Sequence, residues 1–159
     1  MIIKNKYHNT KVIYNGIKFD SKKERARFVT LKQLEKVGKR LGLNSIERTR
    51  LSLLSMLHDI GKITIPLEIL NKPSSLNEDE WEVLKTHTIK GKNIALSSPL
   101  FKDIADEILH HHERWDGMGY PDGLSKETIP LLSRIVSVVD SFDAMISDRP
   151  YRKRMSVNF

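Results

Sequence analysis

The sequence contains no cysteine. Disulfides, thiol nucleophiles and Cys-based zinc or iron–sulfur sites are therefore excluded, and any bound metal must be held by histidine and carboxylate. Aromatic residues are scarce, at 7%. No apolar run approaches the ~20 residues that crossing a bilayer requires. The opening Met1-Ile2-Ile3-Lys4-Asn5-Lys6 has no hydrophobic signal core, so the expectation is a cytoplasmic chain without a membrane span. Internal repeats, low-complexity tracts and linker-like stretches are also missing. What is present is 39% hydrophobic and 30% charged residues over 159 positions. That balance suits one globular domain and is unlike that of a disordered chain.

Charge is unevenly placed. Residues 1–50 hold 14 Lys/Arg against 4 Asp/Glu, a net of +10, whereas the whole chain is +7, so residues 51–159 carry −3. The basic character belongs to the N-terminal third. Its plainest reading is a solvated surface; the alternative is weak contact with nucleic acid or anionic lipid.

Turn and cap signals divide the chain. Lys11-Val12-Ile13-Tyr14 and Ile17-Lys18-Phe19 flank Asn15-Gly16, a pair that tolerates positive φ and predicts a short N-terminal β-hairpin over residues 11–20. Asp20 or Ser21, with Glu24 as capping-box acid, starts a helix that runs to about Arg40 and stops at Gly42. From Ser45 the pattern is helical throughout. Ser45 caps a helix that carries Leu51, Leu54 and Leu57 to about Gly61, and Asn77-Glu78-Asp79-Glu80 opens another with acid in its first turn. A helix near Phe101–His112 follows Ser98-Pro99. The Gly- and Pro-rich stretch 116–130 reads as an ordered loop, and Leu131–Ser147 as the last helix.

The histidines are His8, His58, His87, His110, His111 and His112. His58 keeps the phase of Leu51 and Leu54, His87 that of Trp81, Leu84 and Ile94, and His112 that of Phe101, Ala105 and Ile108. Asp140 follows Val136 on a helix rich in Ile135, Val139 and Phe142. Four helical segments thus each turn a His or Asp inward. Buried ionisable groups are costly unless paired or bound to metal. A single inward histidine is usually a hydrogen-bonded core residue, but several with carboxylate and no thiol suit Fe, Mn, Zn or Ni better than an all-oxygen Ca or Mg cage.

Specific motifs sharpen this. Leu57-His58-Asp59-Ile60-Gly61-Lys62 is followed by His111-His112-Glu113-Arg114-Trp115-Asp116-Gly117-Met118-Gly119-Tyr120-Pro121. Val139-Asp140-Ser141-Phe142-Asp143-Ala144 and Asp148-Arg149-Pro150-Tyr151-Arg152 come next. Over about residues 37–156 this ordered series resembles the HD-GYP family, a branch of the HD metal-dependent phosphohydrolases. The resemblance implies an all-α, HD-type helical bundle that hydrolyses the bacterial messenger cyclic di-GMP, to linear pGpG or GMP, with a centre of divalent ions. Two ions, iron or manganese, are expected here. It implies that His58, Asp59, His87, His111, His112 and Asp140 ligate metal, with Asp59 bridging, and that Lys62 contacts the scissile phosphate. Gly119, Tyr120 and Pro121 would form the loop beside the substrate, and Arg149 and Arg152 would hold its phosphates or guanine. The chemistry is coherent: two metals activate water and offset the charge that builds on a phosphodiester, and a nearby lysine adds a mobile cation. Glu113 reads either as an acid orienting a ligand histidine or as a surface acid.

Two departures accompany the match. Family domains carry an additional histidine ligand on an early helix, which should fall near Ala26, yet Arg25-Ala26-Arg27-Phe28 stands there. Family domains also continue for several helical turns beyond Met155. Residues 1–36, through Lys6-Tyr7-His8-Asn9-Thr10-Lys11 and Asn15–Glu24, resemble instead the opening of a phage-encoded, restriction-endonuclease-like family. The expected division is therefore residues 1–36 as an atypical hairpin plus helix and residues 37–159 as the HD-GYP domain, shortened at both ends. Glu24 reads as a capping acid rather than a nuclease ligand. The leading function is a cyclic di-GMP phosphodiesterase of weak activity. The alternatives are an impaired or incomplete module that binds metal or nucleotide, and a nucleic-acid-binding or nuclease-related protein. A phosphohydrolase of another nucleotide is disfavoured by the intact Gly-Tyr-Pro loop.

Overall fold

The computed structural model describes residues 12–14, 17–19 and 32–146. The Asn15-Gly16 turn, the helix start at Ser21, Glu24, the Ala26 position, Arg149 and Arg152 lie outside the described residues. The chain divides into two compact units, Met1–Arg48 and Thr49–Phe159.

In the first unit, β1 (Val12–Tyr14) and β2 (Ile17–Phe19) pair antiparallel, Val12 opposite Phe19 and Tyr14 opposite Ile17. A helix over residues 32–40 (α1) ends at Gly42, whose φ is 75°. Leu43 N donates to Gly38 O and Gly42 N to Lys39 O, so the last carbonyls of α1 are satisfied by a left-handed residue that only glycine adopts cheaply. The next helix, α2 (Ser45–Leu57), is capped one residue earlier than Ser45. Asn44 Oδ1 accepts from Glu47 N at 2.9 Å while Glu47 Oε2 accepts from Asn44 N at 2.8 Å. This reciprocal box needs an acid three residues on; Asn44 has Glu47, whereas Ser45 has Arg48.

The second unit is helical. After α2 come a 3₁₀ turn over Ile60–Thr64, α3 (Leu67–Leu70), α4 (Glu78–Lys85) and α5 (His87–Leu96). A 3₁₀ turn over Lys102–Ile104 leads into α6 (Ala105–Leu109), and another over Lys126–Thr128 precedes α7 (Leu131–Ile146). Leu51, Leu54, Ala95, Ile104, Ile108, Ile129 and Val136 are buried and form the core. Asn77 caps α4 through a capping box with Glu80.

Three expected helices are shorter than their patterns suggest. α2 ends at Leu57 rather than near Gly61, and α6 ends at Leu109 rather than His112. The helix opened at Asn77 breaks at Thr86. There Thr86 Oγ1, His87 Nδ1 and Thr88 Oγ1 donate in succession to the carbonyls of Val83, Leu84 and Lys85. Side chains that bond the preceding turn compete with the helix ladder. Phase is therefore not carried from Trp81 to Ile94, and Trp81 is exposed rather than inward.

Candidate metal centre

Three histidines reach the centre by one device. His58, His87 and His111 each lie just past a helix end, and each donates Nδ1–H to the carbonyl three residues back: Ser55 O at 3.1 Å, Leu84 O at 2.6 Å and Ile108 O at 2.6 Å. Carbonyls in the last turn of a helix lack intrahelical partners, so they capture the imidazole. A carbonyl can only accept, which places the proton on Nδ1 and leaves Nε2 bare. This is the backbone support that metal-ligating histidines generally have.

The bare atoms converge. One ligand atom from each of Asp59, His87, His111 and His112 lies within 4.8 Å of the others. Asp59 Oδ1 stands 3.4 Å from His87 Nε2 and 3.8 Å from His111 Nε2. All three of these atoms are buried and without a hydrogen-bond partner. Acceptors facing acceptors in a dry site repel one another and are expensive to leave unmatched. A divalent cation among them removes that cost, and imidazole with carboxylate is a donor set that suits Fe, Mn or Zn. The residues present therefore fit a metal.

The other Asp59 oxygen looks elsewhere. Its Oδ2 is 2.6 Å from Lys62 Nζ and 3.7 Å from His58 Nε2, which is in turn 3.7 Å from Asp140 Oδ1. His58 and Asp140 thus adjoin the four-residue cluster, the His58 ring lying 5.1 Å from that of His111, centroid to centroid, without joining it. Lys62 is engaged by Asp59.

Two glycines make this geometry reachable. A Cβ on Gly61 would lie 1.9 Å from His87 O and 2.6 Å from Gly91 N, so only glycine lets the turn after Asp59 press against α5. A Cβ on Gly119 would lie 2.3 Å from Arg114 N and 2.5 Å from Glu113 Cα. The loop therefore folds back onto the 113–114 backbone, and Tyr120 N donates to His112 O at 3.3 Å. The Tyr120 ring stacks on His112 with centroids 4.9 Å apart, and Pro121 follows across a cis bond. Glu113 proves to be neither a surface acid nor a histidine partner. It is buried, and its Oε1 accepts from Asp122 N at 2.7 Å, which ties down the far end of the loop.

Electrostatics follow burial. Burial pushes His87 down to about 4. Burial, with His111 and His87 adjacent, pushes His112 down to about 3. Both are neutral, ligand-ready imidazoles at pH 7. Burial raises the Asp59 carboxyl, but the imidazoles of His111 and His58 and the Lys62 ammonium outweigh it and hold the group well below its usual range. Burial opposes protonation of His58, and the carboxylates of Asp140 and Asp59 override it, so its pKa is raised. Asp140 is lowered by His58. Burial, then Asp59 and Asp140, raise the Tyr120 phenol, which stays protonated.

Beside the cluster opens a cavity of about 480 Å³ whose wall includes His111, His112, Asp140, Glu113 and Trp115. Sequence reading passed over Trp115; the available signal was a lone indole between the charged Arg114 and Asp116, next to two metal-type histidines.

A family profile described as HD domain matches residues 12–158. The chain is 45% identical over 119 residues to a cyclic di-GMP phosphodiesterase of Thermotoga maritima, covering 74% of this chain and 32% of that protein. It is 45% identical over 124 residues to a cyclic di-GMP phosphodiesterase response regulator of Xanthomonas campestris pv. campestris, covering 77% and 33%. It is 36% identical over 122 residues to a 3'3'-cGAMP-specific phosphodiesterase of Vibrio cholerae, covering 77% and 26%. The chain thus spans about a third or less of the length of these relatives.

Proposed function

This chain belongs to the HD domain family, in its HD-GYP branch, and on that premise we propose that it is a metal-dependent phosphodiesterase hydrolysing cyclic di-GMP to linear pGpG, GMP or both. The observation that carries the proposal is the convergence of three buried, partnerless acceptors, Asp59 Oδ1, His87 Nε2 and His111 Nε2, with His112 beside them.

Two divalent ions, iron or manganese, are the proposed cofactor. His58, Asp59, His87, His111, His112 and Asp140 would hold them, and Asp59 would bridge because its two oxygens face two different sets of groups. When bound, the ions would supply an activated water and offset the charge that builds on the phosphate. The protein's own contributions are distinct. The backbone carbonyls of Ser55, Leu84 and Ile108 hold the imidazoles in the ligand tautomer. Lys62 exchanges its carboxylate partner for a phosphate oxygen of the substrate. Tyr120, fixed on His112 and protonated, presents the Gly119-Tyr120-Pro121 loop to the ligand. Arg149 and Arg152 are proposed, from sequence alone, to hold phosphate or guanine.

The wider assignment is also a proposal: residues 1–36, with β1 and β2 closing a hairpin through Asn15-Gly16, precede an HD-GYP domain over residues 37–159. No helix among the described residues is long and apolar enough to cross a membrane; a cytoplasmic location is part of the proposal. The reading of the basic N-terminal third as a nucleic-acid contact finds no support in the relatives' names.

A second reading, a module that holds metal or nucleotide with little turnover, is favoured by the absence of a ligand side chain at Ala26. Elemental analysis of anaerobically purified protein, followed by turnover assays with cyclic di-GMP and 3'3'-cGAMP on the same sample, separates the two. Bound iron or manganese with cyclic di-GMP consumed supports the phosphodiesterase. Metal without turnover supports the second reading, and neither metal nor turnover overturns both.

A further inference from the structure

The cavity beside the cluster shares His111 and His112 with it and is also lined by the adjoining Asp140. A ligand group in the cavity is therefore within covalent reach of a phosphate at the cluster. At about 480 Å³ the space lies within the ~300–1,000 Å³ usual for small-molecule sites. Its wall carries an indole, Trp115, that is 55% exposed.

That indole is held in place. Trp115 O accepts from Lys126 N at 3.1 Å, which ties its backbone across the loop. The Arg134 guanidinium stands 5.9 Å from the ring centroid, a cation–π distance that braces the ring. Arg114 and Asp116, its neighbours in sequence, pair with each other. They supply a polar rim and leave the indole as the apolar surface of the cavity. A rigid, exposed aromatic ring beside a phosphate-handling centre is the arrangement that stacks nucleobases.

We propose that Trp115 is a base-stacking residue: the cavity takes one purine of a nucleotide ligand, face to face with the indole, while the attached phosphate lies at the metal cluster. A two-ring base covers a two-ring indole better than a pyrimidine does, so the ligand class is a purine nucleotide. The inference rests on the phosphodiesterase reading only for the identity of the complete substrate. The subsite itself is testable with a mononucleotide.

The test uses the full chain with its metal. In a Trp81→Phe background Trp115 is the sole tryptophan. GMP should quench its emission saturably, CMP should do so more weakly, and ribose 5-phosphate should leave it unchanged. By equilibrium dialysis, Trp115→Ala should weaken GMP binding by about ten-fold, the scale of a lost base–aromatic stack, and Trp115→Phe by much less. Circular dichroism and metal content establish that each variant is folded, and the quenching arm needs no substitution at Trp115. GMP binding by Trp115→Ala equal to that of the parent chain would overturn the inference, as would ribose 5-phosphate quenching as well as GMP, or no GMP binding by the parent chain. Cyclic di-GMP turnover by the parent chain, measured alongside, keeps the two ideas apart. Turnover with no role for Trp115 removes the subsite alone, and stacking without turnover removes the proposed reaction alone.

Discussion

Two polar clusters are buried in the second unit, and they are built in opposite ways. Around Glu107 the carboxylate and the neighbouring carbonyls find donors, and one buried donor, Arg50 Nε, stands without a partner. Arg50 donates to the Glu107 carboxylate and to Asp103 O, and Ser133 Oγ donates to Glu107 O at 3.0 Å. Around Asp59 the backbone holds His87 and His111 by one ring nitrogen each and turns the other toward a shared, partnerless space. The first cluster is closed and ties α6 to α2 and α7. The second is open, and its unmatched acceptors mark where a ligand belongs. Burial of charge alone does not distinguish a site from a strut; around Glu107 the acceptors are met by donors, whereas around Asp59 several acceptors converge with none.

The comparison can be broken in several places. The largest effect is expected from Asp59→Ala, which removes the group facing both sets. Metal content should fall to background and phosphodiesterase turnover should be lost, while circular dichroism stays helical. Retained metal would show that Asp59 is not the hub. Gly61→Ala should come next: its Cβ would sit 1.9 Å from His87 O. Overpacking against backbone costs about 1–3 kcal/mol or more, so a fall in urea midpoint together with weakened metal binding is expected.

Acidity should act on the open cluster in the chelated protein. His87 and His112 have folded-state pKa values of about 4 and about 3, below the ordinary histidine value near 6.5. Between these the unfolded chain binds more protons, so stability rises with pH from about 4 to about 6.5. His58, raised by its carboxylates, contributes in the opposite sense. Urea midpoints at pH 5 and 7 should increase in that order; the reverse order would mean that His58 dominates.

The closed cluster should respond as a structural pair. Glu107→Leu alone strands Arg50 and is expected to cost about 2 kcal/mol, less than the ~3–5 kcal/mol of a fully buried pair. Arg50→Met with Glu107→Leu should recover most of that loss, and metal content should not change in either variant. The smallest effect belongs to Asn77→Ala, which removes the α4 cap at a cost of about 1 kcal/mol and should leave metal binding intact.

Legibility in the sequence tracks how local each cause is. Cap chemistry showed the start of α4, because Asn77 and Glu80 are three residues apart. It missed the start of α2 by one residue, because Asn44 and Ser45 are both good caps and only the reciprocal Glu47 decides between them. Four of the groups expected as ligands lie together, and helical phase holds for His58, whose backbone N–H donates to Leu54 O at 2.8 Å as a continuation of α2. His87 and His111 are turned by bonds to carbonyls at helix ends, and a periodicity that runs on through Thr86 placed Trp81 inside when it is exposed. Glu113 was left between two roles because its partner, Asp122 N, comes from a loop whose return is set by the space at Gly119. No local pattern carries that information.

The central claim is that the unmatched acceptors around Asp59 are a metal site. Its most direct test is the binding of Mn²⁺ to the chelated full chain, read by equilibrium dialysis with thermal unfolding on the same samples. The account predicts saturable binding that approaches two ions per chain and a rise in Tm on loading, as expected when an ion binds only the folded state. No saturable binding and an unchanged Tm would contradict it.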